Sequence, residues 1–354
     1  MSRNPFHCDI FCKVIDNYGD AAVCWRLARQ LATEHGWRVR LWIDDPAPLA
    51  QLAPDQAGGP VEVHCWPRTW PAPWPAADTA EVVIEAFACE SPPPYVDAMA
   101  ARSSPPVWLN LEYLSAESWV AGCHGLPSPH PRLPLVKHFY FPGFEAGTGG
   151  LLRERDYEAR RENFDAAAFR AEFGLPAKAP GELTISLFSY ANPQLEELIR
   201  AWRAWASPAR PLRVLCPGRR DEATTSGSLS LLPLPFLPQA RYDELLWACD
   251  LNFVRGEDSF VRAQWAARPF VWQIYPQAEG AHRAKLEAFL THHPAGERLR
   301  GFWQAWNGTG TLDWPAFAAS LPELDRPLEA WAKNLAARPD LASGLVQFCL
   351  ERLK

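Results

Sequence analysis

The sequence predicts an α/β protein with two Rossmann-like domains that face each other across a cleft. Its 354 residues exceed what one ordinary core accommodates and suit two domains. Short apolar runs alternate with segments of helical periodicity, as in parallel sheets, and this alternation starts twice, at the N-terminus and again near residue 183. We therefore expect domains at residues 1–180 and 181–335, and a C-terminal helix at 336–354 that packs back on the first domain.

The first domain opens with a strand–helix–strand unit. The apolar run CDIFCKVI (8–15) suits a strand that is buried on both faces. In the next segment Val23, Leu27 and Leu31 follow helical spacing, and Gly36 is typical of a helix C-terminus. The remaining strands of this domain are predicted at 38–43, 61–66, 82–87 and 107–111. Proline clusters at 67–78 and 91–97 indicate loops.

The second domain repeats the pattern. The segment 143–178 is charged, is bounded by glycines and prolines, and holds the interdomain connection near its end. Strands are predicted at 183–189, 212–217, 229–237, 251–260 and 268–277, with turns or loops at the ends of the last three, and helices at 193–205, at 242–250 and from residue 261.

Composition excludes several classes of protein. A formal net charge of -6 argues against general nucleic-acid binding, which needs a basic surface. No apolar run is long enough to cross a bilayer, and the N-terminus lacks the pattern of a secretory signal, so we expect a cytoplasmic protein without a membrane partner. The nine cysteines stand singly, without a CxxC pair, which favours buried free thiols over a zinc site or a disulfide framework.

The loop DNYGD, between the first strand and the first helix, is a candidate site. Open α/β sheets bind ligands at the carboxyl ends of their strands. Asp16 and Asp20 flank Asn17 and Gly19, and the glycine allows another molecule to approach closely. A dinucleotide fingerprint would need three glycines, and this loop has one. A structural interpretation stays open, in which Asp20 caps the helix and Asp16 ends the strand.

A second candidate site is the loop RGEDS (255–259) in the second domain. Amides at the start of the following helix suit a pyrophosphate, with a cation from Arg255 and a hydroxyl from Ser259. Glu257 suits a hydroxyl of a sugar or a ribose. The alternative interpretation is a capped helix with a surface ion pair.

Two further segments of the second domain suit a nucleotide ligand. The segment from Phe236 to Gln239 offers a ring and backbone groups for a nucleotide base. Tyr190, which follows the strand at 183–189, can donate a hydrogen bond to a phosphate, or it can pack against the end of the strand.

Taken together, these motifs resemble those of the protein-arginine rhamnosyltransferases. The two loop motifs are specific only in combination, and the similarity runs from the N-terminus at least through Gln277. Ala21 and Ala22 depart from the isoleucine and glycine expected after Asp20, which affects local packing more than chemistry. The segments that carry the resemblance are IDNYGDAAVCWRLARQLA (15–32), LWIDD (41–45), LNLEYLSAESWV (109–120), LFSYANP (187–193) and CDLNFVRGEDSFVRAQWA (249–266).

The resemblance implies a GT-B glycosyltransferase, with the donor in the C-terminal domain and the protein acceptor on the N-terminal one. The donor would be dTDP-β-L-rhamnose, the acceptor an arginine of elongation factor P, and the anomeric centre would invert. Asp20 would be the catalytic base, Asp16 an essential neighbour and Glu257 an essential residue of the donor site. The nucleotide-contacting positions implied by the family are Tyr190, Gln239, Asp258 and Ser259.

Physical chemistry constrains that reaction. An arginine guanidinium has a pKa above about 12 and a carboxylate has one near about 4, so deprotonation before attack would cost on the order of 11 kcal/mol. Asp20 would therefore accept the proton as the nitrogen bonds to the anomeric carbon, while Asp16 holds the guanidinium. Helix amides with Arg255, Tyr190 and Ser259 would neutralise the leaving group. Because no Asp-x-Asp clamp is evident, we expect neither a metal nor another cofactor.

Two other interpretations stay open on the sequence alone. One keeps the fold but uses another nucleotide sugar or acceptor, since residue types do not separate thymidine from uridine. The other is a non-catalytic module that binds a nucleotide sugar or elongation factor P, and the presence of all three acidic site residues counts against it. Glu112, Tyr113 and Trp119 lie in a segment that either meets the acceptor or packs within the fold.

Overall fold

The computed structural model describes residues 6–16, 18–219, 222–277 and 280–353. Contacts between residues divide the chain into two compact units. The first comprises Met1–Arg155 together with Arg338–Lys354, and the second comprises Asp156–Ala337.

The first unit contains, within the described residues, a seven-stranded sheet in the order β3-β2-β1-β4-β5-β7-β6. Every pair in it is parallel except β6 with β7. From β1 the chain builds outward through β2 and β3 and then returns to β4 on the other side, so the strand order switches between β1 and β4. The elements are β1 (His7–Cys12), α1 (Gly19–His35), β2 (Arg38–Ile43), α2 (Ala47–Leu52), β3 (Val61–Cys65), β4 (Val82–Ala86), α3 (Pro93–Ala100), β5 (Val107–Leu111), α4 (Val120–Cys123), β6 (Pro127–Pro129) and β7 (Val136–Tyr140).

The second unit contains, in the part of the chain that is described, a six-stranded sheet in the order β10-β11-β9-β8-β12-β13. Here only β10 and β11 pair antiparallel. The chain moves outward from β8 through β9 and returns to β12, so the order switches between β8 and β12. The elements are α5 (Tyr157–Glu162), α6 (Ala166–Glu172), β8 (Leu183–Leu187), α7 (Leu195–Trp205), β9 (Leu212–Pro217), β10 (Thr224–Ser226), β11 (Leu229–Leu234), α8 (Gln239–Ala248), β12 (Leu251–Arg255), α9 (Asp258–Ala266), β13 (Phe270–Gln273), α10 (Ala281–His292), α11 (Gly296–Trp306), α12 (Trp314–Ser320) and α13 (Asp325–Ala336).

The last helix, α14 (Leu341–Arg352), belongs to the first unit and contacts α1. The Gln30 amide of α1 donates to Oδ1 of Asp340 at 2.8 Å and to the carbonyl oxygen of Arg153 at 2.7 Å. Asp340 also caps α14, because its carboxylate accepts the first free N–H groups of that helix. The N-terminal end of α14 is therefore fixed to the helix that follows β1.

The division by contacts differs from the boundary predicted at residue 180, since α5 and α6 lie in the second unit. Tyr157 accepts a hydrogen bond from Nε1 of Trp247 at 2.8 Å, and Arg160 forms an ion pair with Asp243 at 3.1 Å. Both partners lie on α8. These short charged helices carry no signal in their sequence that says on which sheet they pack.

Local predictions have mixed outcomes. Gly36 ends α1 with a φ of 67°, as predicted, because glycine adopts the left-handed conformation readily. The prediction of a loop at 91–97 is wrong, since α3 begins at Pro93, and proline is tolerated in the first turn of a helix. Seven of the nine cysteines are buried free thiols as expected, whereas Cys65 is exposed and Cys123 is half-buried.

Candidate functional site

Each candidate loop follows a strand that borders the switch in strand order of its own sheet. In the first unit the loop that carries Asp16 follows β1. In the second unit Tyr190 follows β8, and Gly256 and Glu257 follow β12. At such a switch the neighbouring loops diverge to opposite faces of the sheet, which opens a crevice beyond the carboxyl ends of the strands. Both loops therefore occupy the position where open α/β sheets bind ligands.

Asp20 lies in the first turn of α1, but its carboxylate turns back onto the preceding loop. Oδ2 accepts the backbone N–H groups of Ile15 at 2.8 Å and of Asp16 at 2.9 Å. Oδ1 accepts the hydroxyl of Tyr113 at 3.3 Å. The side chain of Tyr18, at the N-cap position of α1, makes no capping hydrogen bond. The interpretation of Asp20 as a helix cap is therefore wrong, because the amides that it binds precede the helix.

The surroundings of Asp20 make it a stronger base than an exposed carboxylate. Asp20 is only 1% exposed, and burial raises its pKa because the charged form loses contact with water. The two loop amides and the Tyr113 hydroxyl oppose that rise, and the carboxylate of Asp44 adds to it. The net effect is a raised pKa.

Gly19 is required by the position of the Asp16 side chain. A Cβ atom at residue 19 would lie 2.5 Å from Oδ2 of Asp16, which is closer than non-bonded atoms approach. Asp16 itself is 9% exposed. The glycine thus makes room for the Asp16 carboxylate at the start of α1. Asn17, the other candidate in this loop, lies outside the described residues.

The loop after β12 is closed by its own hydrogen bonds. Oγ of Ser259 accepts the N–H of Arg255 at 3.0 Å and donates to the carbonyl oxygen of the same residue. Gly256 adopts a φ of 60°, and its carbonyl oxygen accepts Nε1 of Trp272 at 2.7 Å. The single proton of the Ser259 hydroxyl is therefore used within the loop, so this side chain shapes the turn in front of α9.

Arg255 and Tyr190 are brought together at the ends of β12 and β8. The Arg255 guanidinium lies 4.2 Å from the ring centroid of Phe188 and 4.6 Å from that of Tyr190. Its Nη1 donates to the carbonyl oxygen of Ser189 at 3.2 Å. Oε1 of Gln273, at the end of β13, accepts the N–H of Tyr190 at 2.9 Å. A cation and a phenol thus stand side by side at the carboxyl ends of β12 and β8.

Asp258 is held by a network that the sequence did not reveal. Its Oδ2 accepts hydrogen bonds from Nε2 of Gln239 at 3.0 Å and from Nε of Arg262 at 3.1 Å. Nη1 of Arg262 in turn lies 2.9 Å from each carboxylate oxygen of Asp243. Arg262 stands four residues after Asp258 on α9, and that spacing was the available signal.

Phe236 and Glu257 occupy the remaining predicted positions of the donor side. Phe236 follows β11, and its ring lies beside Gly218, where a Cβ would be 3.4 Å from Cδ2 of the ring. Gly218 follows β9, the parallel neighbour of β11, so the pair lies beyond the carboxyl ends of these two strands. Glu257 directly precedes α9 without capping it. Both side chains are half-buried, which leaves part of each accessible to a ligand.

The described residues also bear on metal binding and on membranes. No group of three or more His, Cys, Asp or Glu side chains among those residues is placed to hold a metal ion. Metal-independent catalysis stays a prediction. Over the same part of the chain, no helix combines the length and the apolar character that crossing a bilayer requires.

Comparison with known proteins identifies the family. Residues 8–350 match the family model described as "Elongation-Factor P (EF-P) rhamnosyltransferase EarP". The protein-arginine rhamnosyltransferase of Pseudomonas aeruginosa is 48% identical over 374 residues, covering 96% of this chain and 98% of that protein. The enzyme of the same name from Pseudomonas putida is 47% identical over 376 residues, with 96% and 97% covered.

Solved structures agree with this assignment. The one described as "Structural basis for EarP-mediated arginine glycosylation of translation elongation factor EF-P" has 34% identity and a TM-score of 0.67, and covers 98% of this chain and 99% of that chain. MurG from Acinetobacter baumannii, at 14% identity and a TM-score of 0.50 over 99% of this chain and 100% of its own, shares the fold alone. The chain therefore belongs to the elongation factor P rhamnosyltransferase (EarP) family of protein-arginine rhamnosyltransferases and is a glycosyltransferase with the GT-B fold.

Proposed function

We propose that this enzyme transfers L-rhamnose from dTDP-β-L-rhamnose to an arginine of elongation factor P, with inversion at the anomeric carbon. The family description, which names elongation factor P, supports the acceptor. The observation that carries the proposal is the Asp20 carboxylate: it is buried, its pKa is raised, and Oδ2 is already fixed by two amides. A carboxylate held in this way presents Oδ1 in one orientation to an incoming group.

In the proposed reaction one nitrogen of the acceptor guanidinium attacks the anomeric carbon. The new nitrogen–carbon bond forms as the bond from that carbon to the β-phosphate oxygen breaks, and dTDP leaves with the electron pair. The nitrogen becomes far more acidic as it bonds to carbon, so its proton passes to Oδ1 of Asp20 during or after attack. Asp16 pairs with the other edge of the guanidinium, as a carboxylate does with arginine.

The donor is assigned to the second unit. The guanidinium of Arg255 and the hydroxyl of Tyr190 would stabilise the charge that develops on the diphosphate, with the N-terminal amides of α9. Glu257 would accept a hydrogen bond from a hydroxyl of the sugar, and Phe236 would stack on the nucleotide base. Asp258, Gln239 and Ser259 shape this site through their hydrogen bonds to one another and to the loop.

One incubation tests the proposal. Purified protein is mixed with dTDP-β-L-rhamnose and unmodified elongation factor P, and the intact acceptor is weighed by mass spectrometry. We expect a gain of one deoxyhexose on an arginine, an α-linkage by NMR, and the same rate in the presence of a chelator. Donor that binds without any gain of mass on the acceptor would contradict the proposed reaction, and activity restored only by magnesium would contradict metal independence.

A further inference from the structure

We infer that Tyr113 is a positioning residue for this reaction: its hydroxyl holds Oδ1 of Asp20, and the ring of Phe87 holds Tyr113 in place. The inference rests on the proposed function of Asp20 as the base. Tyr113 follows β5 and Phe87 follows β4, so both come from strands next to the switch in strand order at β1 and β4.

The first step is that the two carboxylate oxygens of Asp20 have different hydrogen-bond partners. Oδ2 receives two backbone N–H groups, which tie it to the loop. Oδ1 receives the Tyr113 hydroxyl at 3.3 Å, longer than the usual O–H···O distance of about 2.8 Å. Hydrogen bonds of this length are common in ligand-free sites and shorten when the substrate is bound. Tyr113 therefore acts on the oxygen that would receive the proton.

The second step is the support of Tyr113 by Phe87. The two rings are stacked, with centroids 4.3 Å apart and planes at 16°. Phe87 has a φ of 58° and Ala88 one of 57°, a left-handed conformation that is uncommon for residues other than glycine and exceptional for an aromatic one. The N–H of Phe87 donates to the carbonyl oxygen of Leu111 at 2.7 Å, two residues before Tyr113. Strained backbone held in this way often marks a functional site.

The third step is to identify every group that faces the Asp20 carboxylate. Among the described residues these groups are the Tyr113 hydroxyl after β5, the Asp44 carboxylate after β2, the Cys24 thiol one turn along α1, and the two loop N–H groups already named. Among them Tyr113 is the side chain that hydrogen-bonds the carboxylate and lowers its pKa. Loss of its hydroxyl disfavours the charged form, so the pKa of Asp20 rises.

The test is Tyr113→Phe, which removes the hydroxyl but keeps the ring that stacks on Phe87. Because the reaction needs ionised Asp20, the acidic limb of kcat against pH moves to higher pH, by about half a unit to one unit. At pH values on that limb, kcat of the variant is about three- to ten-fold lower than kcat of wild type. KM for the donor stays the same. The matched control is Tyr140→Phe, at the end of β7, which leaves the limb in place.

A second measurement separates this inference from the proposed function. The carboxyl carbon of Asp20 is titrated by ¹³C NMR in wild type and Tyr113→Phe, with Asp20→Asn to assign its signal. A higher pKa in Tyr113→Phe supports the inference, and an unchanged pKa overturns it. A uniform loss of kcat at every pH would also overturn it. If the wild type transfers no rhamnose, the proposed function fails, and the NMR titration alone decides whether Tyr113 holds Asp20.

Phe87→Leu completes the test, because it removes the stacking ring and leaves the Tyr113 hydroxyl present. We expect a smaller shift of the acidic limb in the same direction. Phe87→Tyr, which restores an aromatic ring, returns the limb to its wild-type position. A Phe87→Leu variant that folds with an unchanged limb would overturn the supporting role of Phe87.

Discussion

Nε2 of Gln239 donates a hydrogen bond to Oδ2 of Asp258 at 3.0 Å, although the two residues begin different helices. The contact fixes which way round the Gln239 amide lies, with its nitrogen toward α9. The same carboxylate oxygen accepts Nε of Arg262 at 3.1 Å, so the charge of Asp258 is compensated inside the protein. Loss of Arg262 would therefore disturb both helices that carry the proposed donor site.

Arg262→Met removes a cation that is 2% exposed and leaves Asp243 and Asp258 as buried carboxylates. We expect the free energy of unfolding to fall by about 3–5 kcal/mol, measured by denaturant titration. The control is Arg241→Met, since Arg241 pairs with Glu172 and Glu244 at the surface and its loss costs about 1 kcal/mol or less. Equal losses in the two variants would contradict the buried network.

Asp20→Asn keeps an oxygen that can accept hydrogen bonds from the amides of Ile15 and Asp16 but removes the proposed base. We expect kcat to fall by about 10²- to 10⁴-fold, with donor affinity within about twofold of wild type by calorimetry. Asp45→Asn serves as the control and should retain full activity, because Asp45 is exposed and its neighbour Asp44 makes the contact with the loop through the N–H of Val14. If donor binding collapsed together with turnover, Asp20 would not be the base.

Gly19→Ala places a Cβ atom 2.5 Å from Oδ2 of Asp16 and forces that carboxylate to move. We expect a loss of kcat of about tenfold or more, since small displacements of catalytic groups are costly, with donor affinity unchanged. Gly301→Ala is the matched control: nothing lies within 4 Å of its Cβ, and it sits in α11. That change should stabilise the protein by about 0.5–1 kcal/mol and leave kcat alone.

His293 makes the stability of the second unit depend on pH. Burial lowers its pKa to about 3, with a smaller effect from neighbouring His292, against about 6.5 in an unfolded chain. Protons therefore bind more readily to the unfolded state, and the stabilisation present above about pH 6.5 is lost as the pH falls toward about 3. Between about pH 7 and about pH 5 we expect a loss of about 2 kcal/mol.

Denaturant titrations at several pH values measure this slope. In His293→Gln the side chain does not titrate, so the free energy of unfolding should change less over the same range, whatever its absolute value. Parallel slopes for wild type and variant would show that His293 is not the group responsible.

The central strands of both sheets could be predicted from the sequence because they are buried on both faces and therefore consist of apolar runs. The predicted strands were too long where the segment continued past the end of the sheet. The segment 251–260 was predicted as strand and turn, whereas β12 ends at Arg255. The strand β7 was missed, because its residues VKHFY are mostly half-buried and mixed in polarity. This strand, which lies between β5 and the edge strand β6, depends on its partners rather than on an apolar pattern of its own.

The candidate site was predictable where polar residues lie at or just beyond the carboxyl ends of such strands. Arg255 is the last residue of β12, and Asp16 lies in the loop after β1. The partner of Asp20 was harder to predict from the sequence, because Tyr113 is distant along the chain. It reaches Asp20 only because β5 lies two strands from β1. The left-handed conformation of Phe87 had no signal at all, because neither Phe87 nor Ala88 is a residue that favours it. Such features follow from tertiary contacts, which local patterns do not encode.

The return of α14 to the first unit has a consequence for synthesis on the ribosome. The segment Asp156–Ala337 interrupts the first unit in the chain, so every residue of the second unit is made before α14 exists. Until the segment that begins at Asp340 emerges, α1 lacks the contact between Gln30 and Asp340. The helix that carries Asp20 thus acquires these neighbours only after the whole second unit has been translated, and a nascent chain with a complete second unit would still have an unfinished first unit.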